Sequence, residues 1–136
     1  MEAIKKILFV CVGNTCRSQM AEGFALSHGK GCVEVRSAGT SAAGFVHPAT
    51  IEVMREKGID ISGQTSDQLT DEALKWADCV VTMGCCSVDE ICPISYKGEK
   101  YDWPIEDPLG RPLEDSRRIR DDIEERVKGL IDNECP

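Results

Sequence analysis

A cysteine and an arginine stand on either side of a short polar stretch near the start of the chain. Cys11 and Arg17 are separated by five residues, in the sequence CVGNTCR, and Ser18 follows directly. A guanidinium group matches two oxygens of a tetrahedral oxyanion, and a thiolate is a nucleophile. The spacing therefore predicts a loop that binds an oxyanion and directs the Cys11 sulfur at its central atom.

The segments that flank this loop supply the electric field that such chemistry needs. Residues 5–12 are apolar and β-branched, which predicts a buried strand, and residues 18–28 predict a helix. Inward-pointing N–H groups bind an anion, and a helix N-terminus adds about half a positive charge. We therefore expect Cys11 to be a thiolate that Ser18 stabilises as a leaving group. The alternative, a buried cysteine beside a surface arginine, does not account for the spacing.

The backbone of the loop is the predicted oxyanion cradle. Gly13 is expected to adopt a backbone conformation that a bulkier residue could not take, and Asn14 to hold the loop by hydrogen bonds to backbone. Cys16 has two interpretations, a protective disulfide with Cys11 or a packed small side chain. The predicted oxyanion-binding residues are Cys11, Val12, Gly13, Asn14, Thr15, Cys16 and Arg17.

Composition predicts a single domain, residues 1–136, with 41% hydrophobic and 29% charged residues. A net charge of −8 disfavours nucleic acid and anionic membranes as partners. No apolar run approaches the roughly 18 residues of a membrane span, and residues 7–12 are too short for a signal-peptide core. We expect a cytoplasmic protein.

Strands alternate with helices along the chain, which predicts an α/β fold. The expected architecture is a small open parallel four-stranded sheet with helices on both faces. Ligands of such sheets bind beyond the carboxyl ends of the strands, where CVGNTCRS, SAGTS and MGCCS lie. Beyond the first pair, strands are predicted at 32–40, 77–84 and 101–105, and helices at 48–57, 70–77 and 113–131.

The stretch CVGNTCRSQMAEG resembles the phosphate loop of the low-molecular-weight protein tyrosine phosphatase fold family. The resemblance covers nearly the whole chain and implies the same small parallel sheet. Two branches share that fold, namely phosphotyrosine phosphatases and thioredoxin-coupled arsenate reductases. One oxyanion cradle serves both, because arsenate and phosphate are similar tetrahedral anions. Further landmarks follow in the family's order: SAGT (37–40), DISGQTSDQL (60–69), ADCVVTM (77–83) and EDP (106–108).

Asp107, in the sequence EDP, matches the general acid that both branches share. A carboxylic acid at this position protonates the leaving oxygen, whether that oxygen belongs to tyrosine or to hydroxide. An Asp-Pro pair is also a common turn former. The presence of the Cys11 loop favours the catalytic interpretation.

The segment TMGCCSVDEICP bears on the choice between the branches, because a reductase needs two electrons and therefore further thiols. The resemblance implies that Cys85 attacks the Cys11 sulfur and releases arsenite. Cys92, at the C-x6-C spacing, then attacks Cys85 and carries the disulfide to the surface, where thioredoxin reduces it. Cys86 follows Cys85 directly, and the sequence leaves open which of the two is the middle thiol.

The high cysteine content has another interpretation, a zinc site. In a cytosolic chain of this size, cysteines favour metal or redox chemistry over disulfide staples. Cys85, Cys86 and Cys92 lack an obvious fourth ligand, however, because His28 and His47 lie elsewhere. Cys135 is expected to be a free thiol. The eight cysteines are Cys11, Cys16, Cys32, Cys79, Cys85, Cys86, Cys92 and Cys135.

Two further features favour the reductase branch. The resembled phosphatases place aromatic walls after the general acid, whereas PLGRPLEDS follows Asp107 here. Gln19 and Met20 also resemble the reductase form of the loop. The alternatives are a phosphatase that forms a Cys11 phosphoenzyme and a non-catalytic oxyanion-binding or redox-sensing protein. A weak phosphatase activity would accompany the reductase, since the cradle is shared.

The resemblance to the reductases also implies a potassium ion beside the loop, and no tightly bound cofactor. The matching positions all carry oxygen, as a hard monovalent cation requires. The expected partners are arsenate, with phosphate or sulfate as mimics, and thioredoxin. The potassium positions are Asn14, Glu22, Thr65 and Asp67.

Overall fold

The computed structural model describes residues 4–134 and contains the predicted parallel sheet. Its strands all run parallel, in the spatial order β2-β1-β3-β4, which confirms the predicted fold class. The strands are β1 (Lys5–Cys11), β2 (Val33–Gly39), β3 (Cys79–Met83) and β4 (Glu99–Trp103). The helices are α1 (Arg17–His28), α2 (Pro48–Arg55), α3 (Asp71–Trp76), α4 (Val88–Ile91) and α5 (Leu113–Glu134).

Strand β1 lies at the centre of two hydrophobic cores, because its successive side chains point to opposite faces of the sheet. Ile7 and Phe9 pack into the core that α1, α2 and α5 cover. Leu8 and Val10 pack into a second core, beneath α3 and α4. A strand buried on both faces reads as a continuous apolar run, which explains the sequence KKILFVC.

Some elements end at different residues from those predicted. The predicted strand 101–105 is instead β4, and it stops at Trp103 because Pro104 has no N–H to donate to the sheet. The final helix continues to Glu134. Residues 85–100 are mixed in composition and include Gly and Pro, which predicts a surface segment. The structure places α4 within them.

The carboxyl ends of the strands meet at one edge of the sheet. Cys11, the last residue of β1, lies opposite Gly39, the last residue of β2. Thr82, near the end of β3, pairs with Asp102 on β4. The loops that follow these strands therefore converge, as the sequence predicted. No helix within residues 4–134 is long and apolar enough to cross a bilayer, and Cys135 lies outside the described residues.

Candidate active site

The Cys11 thiol is buried at the end of β1 and contacts the hydroxyl of Ser18, with 2.9 Å between sulfur and oxygen. The Asn14 side-chain amide donates to the same hydroxyl oxygen at 2.6 Å. Because that oxygen already accepts a hydrogen bond, its own proton is free to point at sulfur. The arrangement is suited to stabilising a thiolate at Cys11, the part predicted for Ser18.

Asn14 provides the unusual backbone conformation of the loop, with φ of +54°. Asparagine tolerates this left-handed region because its short polar side chain bonds locally. The amide also donates to Ser37 at 3.0 Å, and its oxygen accepts from the Asp67 N–H at 2.8 Å. The prediction for Gly13 is wrong. That residue has no left-handed φ, and a Cβ there would make an ordinary 3.5 Å contact with Thr15.

Arg17 is 5% exposed, and backbone carbonyl groups hold its guanidinium in place. Its Nη1 donates to the carbonyl of Met83 at 2.8 Å and to that of Ile105 at 3.2 Å. These bonds compensate the desolvation of a buried charge. They also fix the guanidinium at the edge where the loops converge, so its orientation does not depend on a bound anion.

Asp107 lies at the mouth of the site, with its side chain 54% exposed. Its Oδ2 is 3.8 Å from Arg17 Nη2, and its Oδ1 accepts a hydrogen bond from the Leu109 N–H at 3.0 Å. Asp107 is thus both the turn former and a carboxyl group beside the predicted oxyanion site. The two interpretations of the Asp-Pro pair are compatible.

The three thiols of the segment TMGCCSVDEICP, residues 82–93, have different environments. Cys85 is half-buried, and its sulfur lies 3.8 Å from the carbonyl oxygen of Val10, the residue before Cys11. Burial, together with contact with Cys85, raises the pKa of Cys86 to about 12. Cys92 is only 7% exposed, and burial raises its pKa. The prediction that this segment lies on the surface is therefore wrong for Cys92, whose side chain belongs to the second core.

Cys16 is also buried, within the loop, and burial raises its pKa. Its sulfur lies 3.5 Å from the hydroxyl oxygen of Thr15. Cys11 and Cys16 are both free thiols, so this structure corresponds to the packed interpretation of Cys16. The protective disulfide stays a prediction. Within residues 4–134, no group of three His, Cys, Asp or Glu side chains is arranged to hold a metal ion.

Hydrogen bonds connect the four predicted potassium positions, and Ser37 provides the link to Glu22. Besides the bond from the Asp67 N–H to Asn14, the Thr65 hydroxyl donates to Asp67 Oδ2 at 2.8 Å. Ser37 donates to Glu22. Burial, with a smaller contribution from the charge of Asp67, raises the pKa of Glu22. A carboxyl group in this setting is a favourable place for a cation, so the residues present fit the implied ion.

Two residues that hold the site were not predicted as part of it. Gly84 follows β3 with φ of +82°, and a Cβ there would lie 2.1 Å from the carbonyl oxygen of Ile105 and 2.9 Å from Arg17 Nη1. Ser37 links Asn14 to Glu22. The position of Gly84 directly after a buried strand is a sequence signal that could have identified it. Ser37 could not be identified from the sequence, because its partners Asn14 and Glu22 lie on other elements.

Comparisons with a family model, with curated proteins and with solved structures identify related proteins of one family. The chain matches the low molecular weight phosphotyrosine protein phosphatase family over residues 6–134. A curated relative, the glutaredoxin arsenate reductase of Synechocystis sp., is 45% identical over 129 residues, which cover 94% of this chain and 97% of the relative.

Solved structures give the same result. A structure described as an arsenate reductase in the phosphate binding state has a TM-score of 0.85 and 42% identity, and the match covers 96% of this chain and 99% of that one. The thioredoxin-dependent arsenate reductase of Corynebacterium glutamicum has a TM-score of 0.82 and 32% identity, over 97% of this chain and 62% of that one. The fold, the Cys-x5-Arg loop and these matches show that the chain belongs to the low molecular weight phosphotyrosine protein phosphatase family.

Proposed function

We propose that this protein reduces arsenate to arsenite through a relay of three thiols and is re-reduced by thioredoxin. The observation that carries the proposal is the position of Cys85, whose sulfur lies 3.8 Å from the carbonyl oxygen of the residue before Cys11. A second thiol next to the end of the strand that carries the nucleophile is needed by a reductase and not by a phosphatase. The names of the relatives support arsenate as the substrate.

The first step uses the features that a phosphatase also has. Loop N–H groups, the N-terminus of α1 and Arg17 hold the arsenate. The Cys11 thiolate, with the Ser18 hydroxyl 2.9 Å from its sulfur, attacks arsenic and forms a sulfur–arsenic bond. Asp107 donates a proton to the departing oxygen, which leaves as water. Arsenic is still pentavalent after this step.

The second step transfers the electrons. The Cys85 thiolate attacks the Cys11 sulfur, and the electron pair of the sulfur–arsenic bond stays on arsenic, which leaves as arsenite. The product is a Cys11–Cys85 disulfide. Cys85 suits this step better than Cys86, because the Cys85 sulfur lies 3.8 Å from the carbonyl oxygen of Val10, the residue before Cys11. Cys92 then attacks Cys85 and returns Cys11 to the thiolate.

A dithiol reductant completes the cycle by reducing the Cys85–Cys92 disulfide. Thioredoxin is the proposed reductant, supported by the thioredoxin-dependent relative, and the cytoplasm is the proposed location, since thioredoxin keeps thiols reduced there. The glutaredoxin relative makes the glutathione system the alternative. A potassium ion at Asn14, Glu22, Thr65 and Asp67 would supply positive charge behind the oxyanion loop.

The proposal is tested by arsenate-dependent NADPH oxidation with thioredoxin and thioredoxin reductase. We expect steady turnover in the wild type and in Cys86→Ser, but at most one turnover in Cys92→Ser, because the Cys11–Cys85 disulfide would then persist. If turnover occurs with glutaredoxin and glutathione but not with thioredoxin, the reductant in the proposal must be replaced, whereas the proposed reduction of arsenate stands. No arsenate turnover in any variant, with equal hydrolysis of an aryl phosphate, would instead establish a phosphatase.

The proposed general acid makes a separate prediction. Asp107→Asn should lower kcat/KM for arsenate by about 10²- to 10⁴-fold, because water is a poor leaving group without a proton. The loss for aryl phosphates should shrink as the leaving phenol becomes more acidic. Glu106→Gln is the matched control, since that exposed carboxylate binds Arg111 and Arg118 instead of Arg17. Equal losses in both variants would contradict the assignment.

A further inference from the structure

One carboxylate oxygen of Asp102 joins three elements on the face of the sheet that carries α4. Asp102 lies on β4, paired with Thr82 on β3. Its Oδ1 accepts hydrogen bonds from the Thr82 hydroxyl and from the Val88 N–H, the latter at 2.7 Å. Val88 is the first residue of α4. The bond therefore ties the start of this helix to the sheet.

Cys92 lies at the other end of the same short helix. Its N–H donates to the carbonyl of Val88 at 3.0 Å, and its side chain is 7% exposed. A helix of four residues is not stable by itself, so contacts with the sheet keep it in place. The exposed ion pair between Asp89 and Lys100, at 2.8 Å, contributes little to this, as surface ion pairs generally do.

The proposed relay cannot run with Cys92 in this position. Its sulfur must reach Cys85 and then meet a reductant from solution, yet it is packed in the second core. Segments of a native protein open locally, with free energies set by the contacts that are lost. An opening that lifts the whole of α4 from the sheet, and Cys92 with it, breaks the hydrogen bond between the Val88 N–H and Asp102.

We propose that Asp102 is a positioning residue that restrains α4 and so controls how often Cys92 becomes accessible to Cys85 and to the reductant. The proposal rests on the proposed function for its role in turnover. The restraint itself can be measured without arsenate or reductant. A hydrogen bond to a charged acceptor is stronger than a neutral one, so removing the carboxylate should make the opening more frequent.

Nearby charges also affect the reactivity of Cys92. Their effect on its alkylation rate must therefore be separated from the effect of α4 opening. Burial raises the pKa of Cys92, the Lys100 ammonium opposes that change, and the carboxylates of Asp89 and Asp102 add to it. Removing either carboxylate therefore lowers the thiol pKa. That effect shifts the pH profile of alkylation, whereas a more frequent opening raises its plateau at high pH.

The test is the rate of Cys92 alkylation by iodoacetamide in the reduced full-length protein, followed across pH by tandem mass spectrometry that separates Cys92 from Cys85 and Cys86. Asp102→Ala should raise the plateau rate about tenfold. Thr82→Val, which removes one donor to the carboxylate, should raise it less. Asp89→Ala, the matched control, should shift the profile with the plateau unchanged.

Two readouts keep the result specific. Cys79 is fully buried in β3, so its alkylation should not change if only α4 opens; an equal rise at Cys79 would mean global unfolding and would contradict a local restraint. Equal plateaus for Asp102→Ala and Asp89→Ala would also overturn the proposal. In turnover, kcat/KM for thioredoxin should rise in Asp102→Ala. A fall would mean that Asp102 places Cys92 for attack and does not restrain it.

Discussion

Replacing Cys11 with serine is expected to abolish both arsenate reduction and aryl phosphate hydrolysis. The proposed nucleophile is the Cys11 sulfur, which lies 2.9 Å from the Ser18 hydroxyl oxygen. A serine hydroxyl keeps its proton at neutral pH, and Asp107 is proposed as an acid and not as a base that would remove this proton. We expect a loss on the order of 10⁴-fold or more. This exceeds the effect of Cys92→Ser, which should retain the first turnover.

The same variant should still bind the oxyanion. Asn14 and Arg17 make their hydrogen bonds without Cys11, so the substitution leaves the groups that hold the loop and the guanidinium in place. Phosphate should therefore raise the melting temperature of Cys11→Ser at least as much as that of the wild type. A variant without this stabilisation would have a collapsed loop, and its inactivity would say nothing about the nucleophile. Cys79→Ala, which removes a buried thiol outside the site, should keep both activities.

The local part of this site was predictable from the sequence. Cys11, Arg17 and Ser18 lie within eight consecutive residues, and the apolar run before them together with the helix after them fixes the geometry of the loop. The alternation of strands and helices fixes the parallel sheet, and a parallel sheet gathers the strand ends at one edge. The loop was predictable because it depends on neighbouring residues. The position of the site was predictable because ligands of open parallel sheets bind beyond the carboxyl ends of the strands.

The missed features depend on contacts between distant parts of the chain. The burial of Cys92 follows from the packing of α4 on the sheet, which the polar sequence SVDE did not indicate. The left-handed residue of the loop is Asn14 and not Gly13, because Asn14 is fixed by hydrogen bonds to Ser37 and Asp67. A motif that is defined by the spacing of neighbouring residues does not include hydrogen-bond partners more than twenty residues away.

Arg17 gives the most consequential example. The sequence predicts that its guanidinium binds the oxyanion, but no sequence pattern indicates which groups hold the guanidinium when no anion is bound. The carbonyl groups of Met83 and Ile105 do so, and Gly84 allows the segments that carry them to approach closely beyond the ends of β3 and β4. The orientation of the oxyanion-binding charge therefore depends on a residue that does not touch the substrate.

Replacing Gly84 with alanine should accordingly destabilise the protein and disable the site. The φ of +82° alone costs an alanine about 1–2 kcal/mol. The added Cβ would also lie 2.1 Å from the carbonyl oxygen of Ile105 and 2.9 Å from Arg17 Nη1. Because the first of these atoms is backbone, the strand end and the loop of Ile105 must separate. We expect a loss of about 3 kcal/mol or more in the free energy of unfolding, measured by urea denaturation.

Gly110→Ala separates the two parts of this cost. Gly110 has nearly the same φ, +77°, but a Cβ there would have no atom within 4 Å. That variant should lose only the conformational part, about 1–2 kcal/mol, and should keep its arsenate turnover. In Gly84→Ala, the carbonyl of Ile105 moves away from the guanidinium, so phosphate should no longer raise the melting temperature as it does in the wild type. Equal losses of stability in the two variants, with phosphate binding intact, would mean that Arg17 is held by the loop alone.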